Sequence, residues 1–459
     1  MLQQTAAKFG NREICFYDGN KVPHRITYAA LLQAAEQTAR GLYAAGVRKG
    51  DQILMQLASP NEYAQGFWGT LFAGAVPMAL PFAYAEQAGR DVMEKQLNIC
   101  KKIDRAFILT TENVYEKYEE LFAAQPNITV LALERVAAMP NETVTLPAVD
   151  PQDTACVLFS SGSTSDPKGV VLSHKTVVAS IDGARELIGY TEQDRILSWL
   201  PMTHAFGFIG FHLVPVACGA FQCIMPAVMF VQQPYEFLKR ISAWKINMFG
   251  AMNFALKLLM EQLSDEQIAS LDLSGVKNMF MGGEPINADL IERFLAKFAP
   301  SGFPDTAPRP IYGLSESAFA ISCSDVGKHF RADALSFDAL SKEGRAVFSD
   351  AADAARFVSV GRPIPGLSVL VLDDDGNALP ECTVGEFYYK GDCMTDGYLL
   401  SDDDRSKKMK DGYLASGDMG YLSDGEIIIT GRKKDIIFIN GQNYYPVDIE
   451  KMITGLAPE

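Results

Sequence analysis

The sequence predicts an α/β protein of more than one folding unit, and three observations carry that prediction. Helical and strand patterns alternate from the N-terminus to about residue 330, which indicates an α/β core with largely parallel strands. After residue 358 the pattern changes to short strands at 358–373, 385–390, 412–415 and 426–430, set between Gly, Pro and Asp turns. That reads as a small, mostly antiparallel β-unit joined to the body. The chain has 459 residues, enough for two to four units at ~100–200 residues each.

The elements follow in order. Residues 28–45 place Leu31, Leu32, Ala35, Thr38, Ala39 and Leu42 at helical spacing, and Gly46 stands where a helix-ending glycine belongs. Residues 51–57 read as a strand, 61–74 as a helix and 75–80 as the next strand. Strands are also expected at 155–159 and 170–172. Near the end, Gly431-Arg-Lys-Lys-Asp435 leads into a new strand at Ile436, 20-odd residues before the last residue, Glu459. A further unit is expected to begin there.

Composition narrows the function. Hydrophobic residues make up 48% and charged residues 21%, the profile of a soluble globular chain. The net charge of −15 gives no bulk attraction for nucleic acid or anionic lipid, so any phosphate must be held locally. The eight cysteines form no C-x-x-C, and Met1 leads into Gln3, Gln4 and Lys8 rather than an apolar run. Reduced thiols and a cytoplasmic location are the expectation. Two stretches, 66–85 and 196–235, carry no Asp, Glu, Lys or Arg, but prolines and glycines interrupt both; they are read as buried core, not as membrane spans.

The most informative segment starts at Phe159. An apolar strand runs into Ser160, Ser161, Gly162, Ser163, Thr164 and Ser165, followed by Asp-Pro, Lys168 and Gly169. Such a loop turns backbone N–H groups and the hydroxyls of Ser161, Ser163 and Thr164 toward one anion, and Lys168 adds a point charge. The spacing is not that of a Walker loop, which needs G-x-x-x-x-G-K-[ST].

Read with three later segments, the loop resembles the signature of the adenylate-forming superfamily: acyl- and aryl-CoA synthetases, luciferases, adenylation domains of nonribosomal peptide synthetases, and fatty acyl-AMP ligases. The later segments are Tyr312-Gly-Leu-Ser-Glu-Ser317, Tyr413-Leu-Ala-Ser-Gly-Asp418, and Gly431-Arg-Lys-Lys-Asp435 with Asn440-Gly-Gln-Asn443. The resemblance implies a large N-terminal body, residues 1–433, of two α/β subdomains (about 1–330) and a small distorted β-barrel (about 358–433). A C-terminal α+β domain would only be begun at 434–459. It implies a monomer that uses ATP and Mg²⁺. Ser160, Ser161, Gly162, Ser163, Thr164 and Lys168 would hold the phosphates, and Glu316 the metal. Gly283, Glu284, Pro285, Tyr312, Gly313, Ser315, Asp418 and Arg432 would bind adenine and ribose. His204 would face the forming acyl-phosphate, and Lys434 would be the hinge. His204, Glu316 and Lys168 are the catalytic candidates.

Two features bear on the branch. From Ser198 to Tyr235 there is no acidic residue to pair with an α-ammonium, and burying that cation alone would be costly. A carboxylic acid with an apolar fatty or aryl tail is therefore expected, in a pocket from Phe206, Phe208, Phe249, Met252 and Gly282. Relatives typically carry His-Asp-Met-Gly where this chain has His204-Ala-Phe-Gly207. The second feature is an extra segment, 326–357, which resembles the insertion of fatty acyl-AMP ligases. Those enzymes pass the acyl group to the phosphopantetheine thiol of a carrier protein. Phe330, Leu335, Phe337, Leu340, Val347 and Phe348 are expected to dock it. The sequence leaves two alternatives open: an acyl-CoA synthetase, and a non-catalytic adenylate-binding module, against which intact Lys168, Glu316, Asp418 and Arg432 argue. No later lysine motif follows Lys434, and Lys451 is too early to serve, so a chain trimmed to the large body is expected.

Overall fold

A computed structural model describes residues 1–18, 22–80, 94, 96–139, 144–159, 168–351, 354–400, 409–435, 437–439 and 442–444. Two large sheets dominate. One runs Gly397–Leu399, Gly169–Ser173, Thr154–Phe159, Val76–Ala79, Gln52–Met55, Ala106–Thr110, Ile128–Ala132. Its last five strands are mutually parallel, and the first two are added antiparallel. The other has a parallel centre, Pro308–Tyr312, Asn278–Met281, Met248–Ala251, Arg195–Ser198, Phe221–Ile224 and Glu13–Tyr17. Antiparallel strands close its margins: Ser322–Cys323 and Arg362–Pro363 at one edge, Pro23–Thr27 at the other. The mixed α/β body with a further curled sheet matches the architecture expected of adenylating proteins.

Local chemistry sets these elements. The helix Tyr28–Ala44 starts at Thr27, whose hydroxyl accepts the Ala30 N–H at 3.1 Å, and stops where Gly46 turns with φ 96°. The charge-free run 196–235 is not one element. It divides into a strand, the π-helix Phe206–Leu213, the short helix Val214–Cys218, the strand Phe221–Ile224 and the helix Ala227–Gln232, almost all buried. No helix among the described residues is long and apolar enough to cross a membrane.

The β-rich part pairs Ser368–Leu372, Gly385–Lys390, Tyr413–Ser423 and Glu426–Arg432 antiparallel. The run at 358–373 is broken, because Gly361 (φ 79°) and Gly366 (φ 83°) turn the chain between three short strands. The strand expected at 412–415 extends instead to Ser423. Gly417 (φ 78°) and a bulge after Met419 absorb the Ser-Gly-Asp sequence that reads as a turn.

The 326–357 segment holds the strand Ala332–Leu335 and the helix Phe337–Glu343, and Ala332–Leu335 pairs with Ala355–Val358. Its core is Leu335, Leu340, Ala346, Ala355 and Phe357 packed on Tyr421 and Ile428 of the β-rich part. Asp333 is buried beneath it, gripped by Arg331 Nε at 2.8 Å and by the Tyr421 hydroxyl at 2.8 Å. Two expected docking residues do not dock: Val347 is 40% and Phe348 56% exposed. Ala355 and Phe357, on the returning strand, take that place because alternation on the strand turns their side chains inward.

Candidate active site

The phosphate-loop residues Ser160, Ser161, Gly162, Ser163 and Thr164 lie outside the described residues. Their flanks are described and form an antiparallel hairpin whose last register pair is Phe159 with Gly169. A Cβ on Gly169 would sit 2.7 Å from Val157 Cγ1, so close strand contact explains that glycine. Lys168, just before it, is largely buried. Its Nζ lies 3.4 Å from Glu316 Oε1 and 3.4 Å from the centre of the Tyr398 ring.

Glu316 belongs to the 3-10 turn Ser315–Ser317 that follows the strand Pro308–Tyr312. The turn is tight. Ala318 takes φ 61°, and a Cβ on Gly313 would fall 1.8 Å from Phe319 O, where the chain folds back on itself. The Tyr398 hydroxyl donates to Glu316 Oε1 at 3.2 Å, and the Thr395 N–H donates to the Glu316 carbonyl at 2.6 Å. Thr395 Oγ1 in turn donates to Val171 O at 2.6 Å, and Asp396 accepts the Ser173 N–H at 2.8 Å. The segment from Thr395 to Leu399 thus ties the Glu316 turn to the strand leaving the phosphate loop. The sequence reading did not single out Thr395, Asp396 or Tyr398. No periodicity marks them, and the pairing of Gly397–Leu399 with Gly169–Ser173 brings them to the site.

A second group forms around Asp418. It is buried, accepts a hydrogen bond from the Tyr312 hydroxyl, and lies 3.4 Å from Arg432 Nε. Burial raises its pKa above the usual carboxylate value, with the Tyr312 hydrogen bond and the Arg432 charge opposing that rise. Tyr312 is half-buried and Arg432 exposed, so an acceptor, a ring and a donor stand together. The Glu316 charge also reaches Asp418, which links the two groups.

The turn Gly283-Glu284-Pro285 is held to the start of the earlier helix Asn253–Gln262. Glu284 Oε1 accepts the Asn253 N–H at 2.6 Å, and Asn253 Nδ2 donates to Pro285 O at 2.7 Å. Gly282 lies where a Cβ would be 2.3 Å from Ile311 O, and half-buried Met252 caps the helix Asn253–Gln262. His204 is exposed over part of its surface, yet desolvation lowers its pKa; its Nδ1 accepts the Phe206 N–H at 3.2 Å. Phe206 stacks on Phe319 at 6.0 Å. The structure does not gather Phe208 and Phe249 with Phe206. Phe208 packs on Phe67 at 4.4 Å, and Phe249 lies between Phe237 and Phe303. Lys434 is exposed in the turn Lys433–Asp435.

Residues 2–399 match the family described as AMP-binding enzyme. The chain belongs to this family. As an AMP-binding enzyme it is an adenylate-forming ligase, and its relatives and structural neighbours are fatty acyl-AMP ligases and adenylation domains of nonribosomal peptide synthetases. A Caulobacter vibrioides protein assigned by name to the acyl-CoA synthetases is 31% identical over 93% of this chain and 75% of its own length. The medium-chain-fatty-acid–[acyl-carrier-protein] ligase JamA of Moorena producens is 29% identical over 96% of this chain and 77% of its own. Among solved structures, a chain from work on fatty acyl-adenylate ligases of E. coli and L. pneumophila superposes with a TM-score of 0.92 at 28% identity, covering 99% of this chain and 82% of that one.

Proposed function

We propose that this AMP-binding enzyme activates a fatty acid to its acyl-adenylate and delivers the acyl group to the phosphopantetheine thiol of a carrier protein. The observation that carries the activation step is the pairing of Lys168 with Glu316 at the exit of the phosphate loop, beside the Asp418–Tyr312–Arg432 group. The substrate carboxylate oxygen attacks the α-phosphorus of ATP, the bond to the β-phosphate oxygen breaks, and pyrophosphate leaves with that electron pair. Two anions must meet, so the protein's task is to neutralise and position charge.

Each residue then has a task. Lys168 binds a phosphate oxygen as a point charge. Asp418 accepts from the ribose hydroxyls, Arg432 donates to the same sugar, and the open face of Tyr312 takes adenine between itself and Gly283-Glu284-Pro285. His204, whose pKa desolvation lowers, stands toward the acyl side. A magnesium ion fits Glu316. Mg²⁺ is usually held by one or two carboxylates plus substrate phosphates, and Glu316 supplies one carboxylate beside Lys168. When bound, the ion would neutralise the charge developing on the phosphate oxygens.

The acceptor reading draws support from the folded 326–357 segment seated on Tyr421 and Ile428, and from the carrier-protein ligase among the relatives. The acyl-CoA synthetase name of the Caulobacter relative favours CoA as the second reading. Pyrophosphate exchange over a panel of fatty, aryl and amino acids tests the first step; the largest signal from a free α-amino acid would overturn it. Product analysis with a carrier protein and with CoA tests the second. Ready formation of acyl-CoA with the 326–357 segment intact would favour the synthetase.

A further inference from the structure

Glu316 and Lys168 lie 148 residues apart in the chain, and one side chain touches both. Tyr398 donates its hydroxyl to Glu316 Oε1 at 3.2 Å, and the Lys168 ammonium stands over its ring, 3.4 Å from the centre. The backbone of Tyr398 pairs with Val170, two residues beyond Lys168. Three residues earlier, Thr395 bonds both the Glu316 carbonyl and the Val171 carbonyl. The segments that carry the contact are thus tied together through backbone groups on both sides.

We propose that Tyr398 is the positioning residue of the nucleotide site, its hydroxyl fixing the Glu316 carboxylate and its ring fixing the Lys168 ammonium. The two tasks are chemically separate. A hydroxyl donor restrains a carboxylate without changing its charge. A ring face attracts an ammonium through its quadrupole and leaves the ammonium's hydrogens to reach a phosphate. Lysine is a mobile point charge on a four-carbon stem, so a ring beneath it removes freedom that nucleotide binding would otherwise have to remove. When Lys168 moves from Glu316 to a phosphate, Glu316 keeps its Tyr398 partner and is not left to reorganise.

This inference rests on the reading of Glu316 as the metal carboxylate and Lys168 as a phosphate ligand. The test measures ATP binding by calorimetry over a series of free Mg²⁺ concentrations and in EDTA, together with pyrophosphate exchange. The variants are Tyr398→Phe, Tyr398→Leu, Glu316→Gln and the double variant Tyr398→Phe/Glu316→Gln. Phenylalanine keeps the ring and loses the hydroxyl. It should raise the half-saturating Mg²⁺ about three- to tenfold, leave ATP affinity in EDTA within about twofold, and leave kcat at saturating Mg²⁺ within about threefold. Leucine loses both, and should also weaken ATP binding in EDTA about three- to tenfold. In the Glu316→Gln background the phenylalanine variant should shift the Mg²⁺ requirement no further. If Tyr398→Phe titrates like the parent while Glu316→Gln shifts, the role of Tyr398 is overturned and the site reading stands. If Glu316→Gln does not shift, the site reading fails and takes this one with it. Equal ATP affinity of the leucine and phenylalanine variants in EDTA would overturn the role of the ring.

Discussion

Replacing Asp418 with Asn separates what this residue does for nucleotide from what it costs the fold. Asp418 is 5% exposed, and its pKa is raised chiefly by that burial. A carboxyl whose folded pKa lies above its unfolded value of 3.8 stabilises the fold fully below pH 3.8, and that contribution is lost as pH rises through the folded value. At neutral pH the ionised group is therefore a burden. Its ion pair offsets little of that, because Arg432 is 59% exposed, and such pairs contribute ~0–1 kcal/mol. Asparagine keeps an oxygen to accept the Tyr312 hydroxyl, and its amide nitrogen replaces only the oxygen that faces exposed Arg432, where the lost pair was worth little. The apo protein with Asp418→Asn should then melt no lower than the parent at pH 7, and its stability should lack the decline from pH 3.8 upward. Nucleotide binding should move the other way. A hydrogen bond to a charged acceptor is worth about 1.5–3 kcal/mol, so ATP affinity should fall roughly ten- to a hundredfold. Thermal melts with and without ATP, backed by calorimetry, measure both. A melting point several degrees below the parent would refute the burial argument, and unchanged ATP affinity would refute the ribose assignment.

Glu316→Gln should lower the adenylation rate about ten- to a thousandfold, read by pyrophosphate exchange at limiting Mg²⁺; a parental rate there would remove Glu316 from the site. Leu340→Ala, in the core of the 326–357 segment, should cost ~2–5 kcal/mol in denaturant unfolding, whereas Phe348→Ser should stay within ~0.5 kcal/mol. His212 is fully buried, its Nε2 accepting from Trp68 Nε1 at 3.0 Å and its Nδ1 bonded to Gln222 at 2.8 Å, and burial lowers its pKa to about 4. A depressed histidine contributes stability above its unfolded value of 6.5 and loses it as pH falls toward 4. Unfolding at pH 7 and 4.5 should show the advantage of the parent over His212→Asn shrinking by roughly 2–3 kcal/mol, and a constant advantage would contradict the burial.

What the sequence makes legible is what depends on local pattern. The strands bordering the phosphate loop are expected at 155–159 and 170–172 and found at Thr154–Phe159 and Gly169–Ser173, because apolar runs end sharply in small polar residues. The helix at 28–45 is legible from its period and its final glycine. What depends on parity or on distant pairing is not legible. Val347, Phe348 and Phe357 are equally apolar in sequence, and only the strand register decides that Phe357 faces inward. Asp418 sits in a turn-like Ser-Gly-Asp, and a bulge keeps it inside a strand. Tyr398 reaches the site through a pairing more than two hundred residues long in sequence, which no local window contains.

The same dependence on distant packing changes how the proposed acyl side, around His204 and Phe206, is to be read. The π-helix Phe206–Leu213 begins two residues after His204, and the His204 carbonyl accepts the Phe208 N–H at 2.8 Å. It is clamped both near its start, at Phe208, and near its end, at His212. Phe208 meets Phe67 at 4.4 Å and Tyr63 at 5.5 Å, and His212 takes the Trp68 hydrogen bond, all from the helix Pro60–Phe72. That helix lies against the first sheet, where a Cβ on Gly66 would meet Leu57, Met55 and Leu109. A π-turn widens the helix and costs backbone hydrogen-bond quality, so it persists only where packing fixes it. Here the aromatic seam between the sheets supplies that packing. Phe208 is thereby a strut under the turn that carries His204 and Phe206, and cavity-forming changes at Phe67 or Phe208 should disturb the proposed acyl side by displacing that helix as well as by loosening the core.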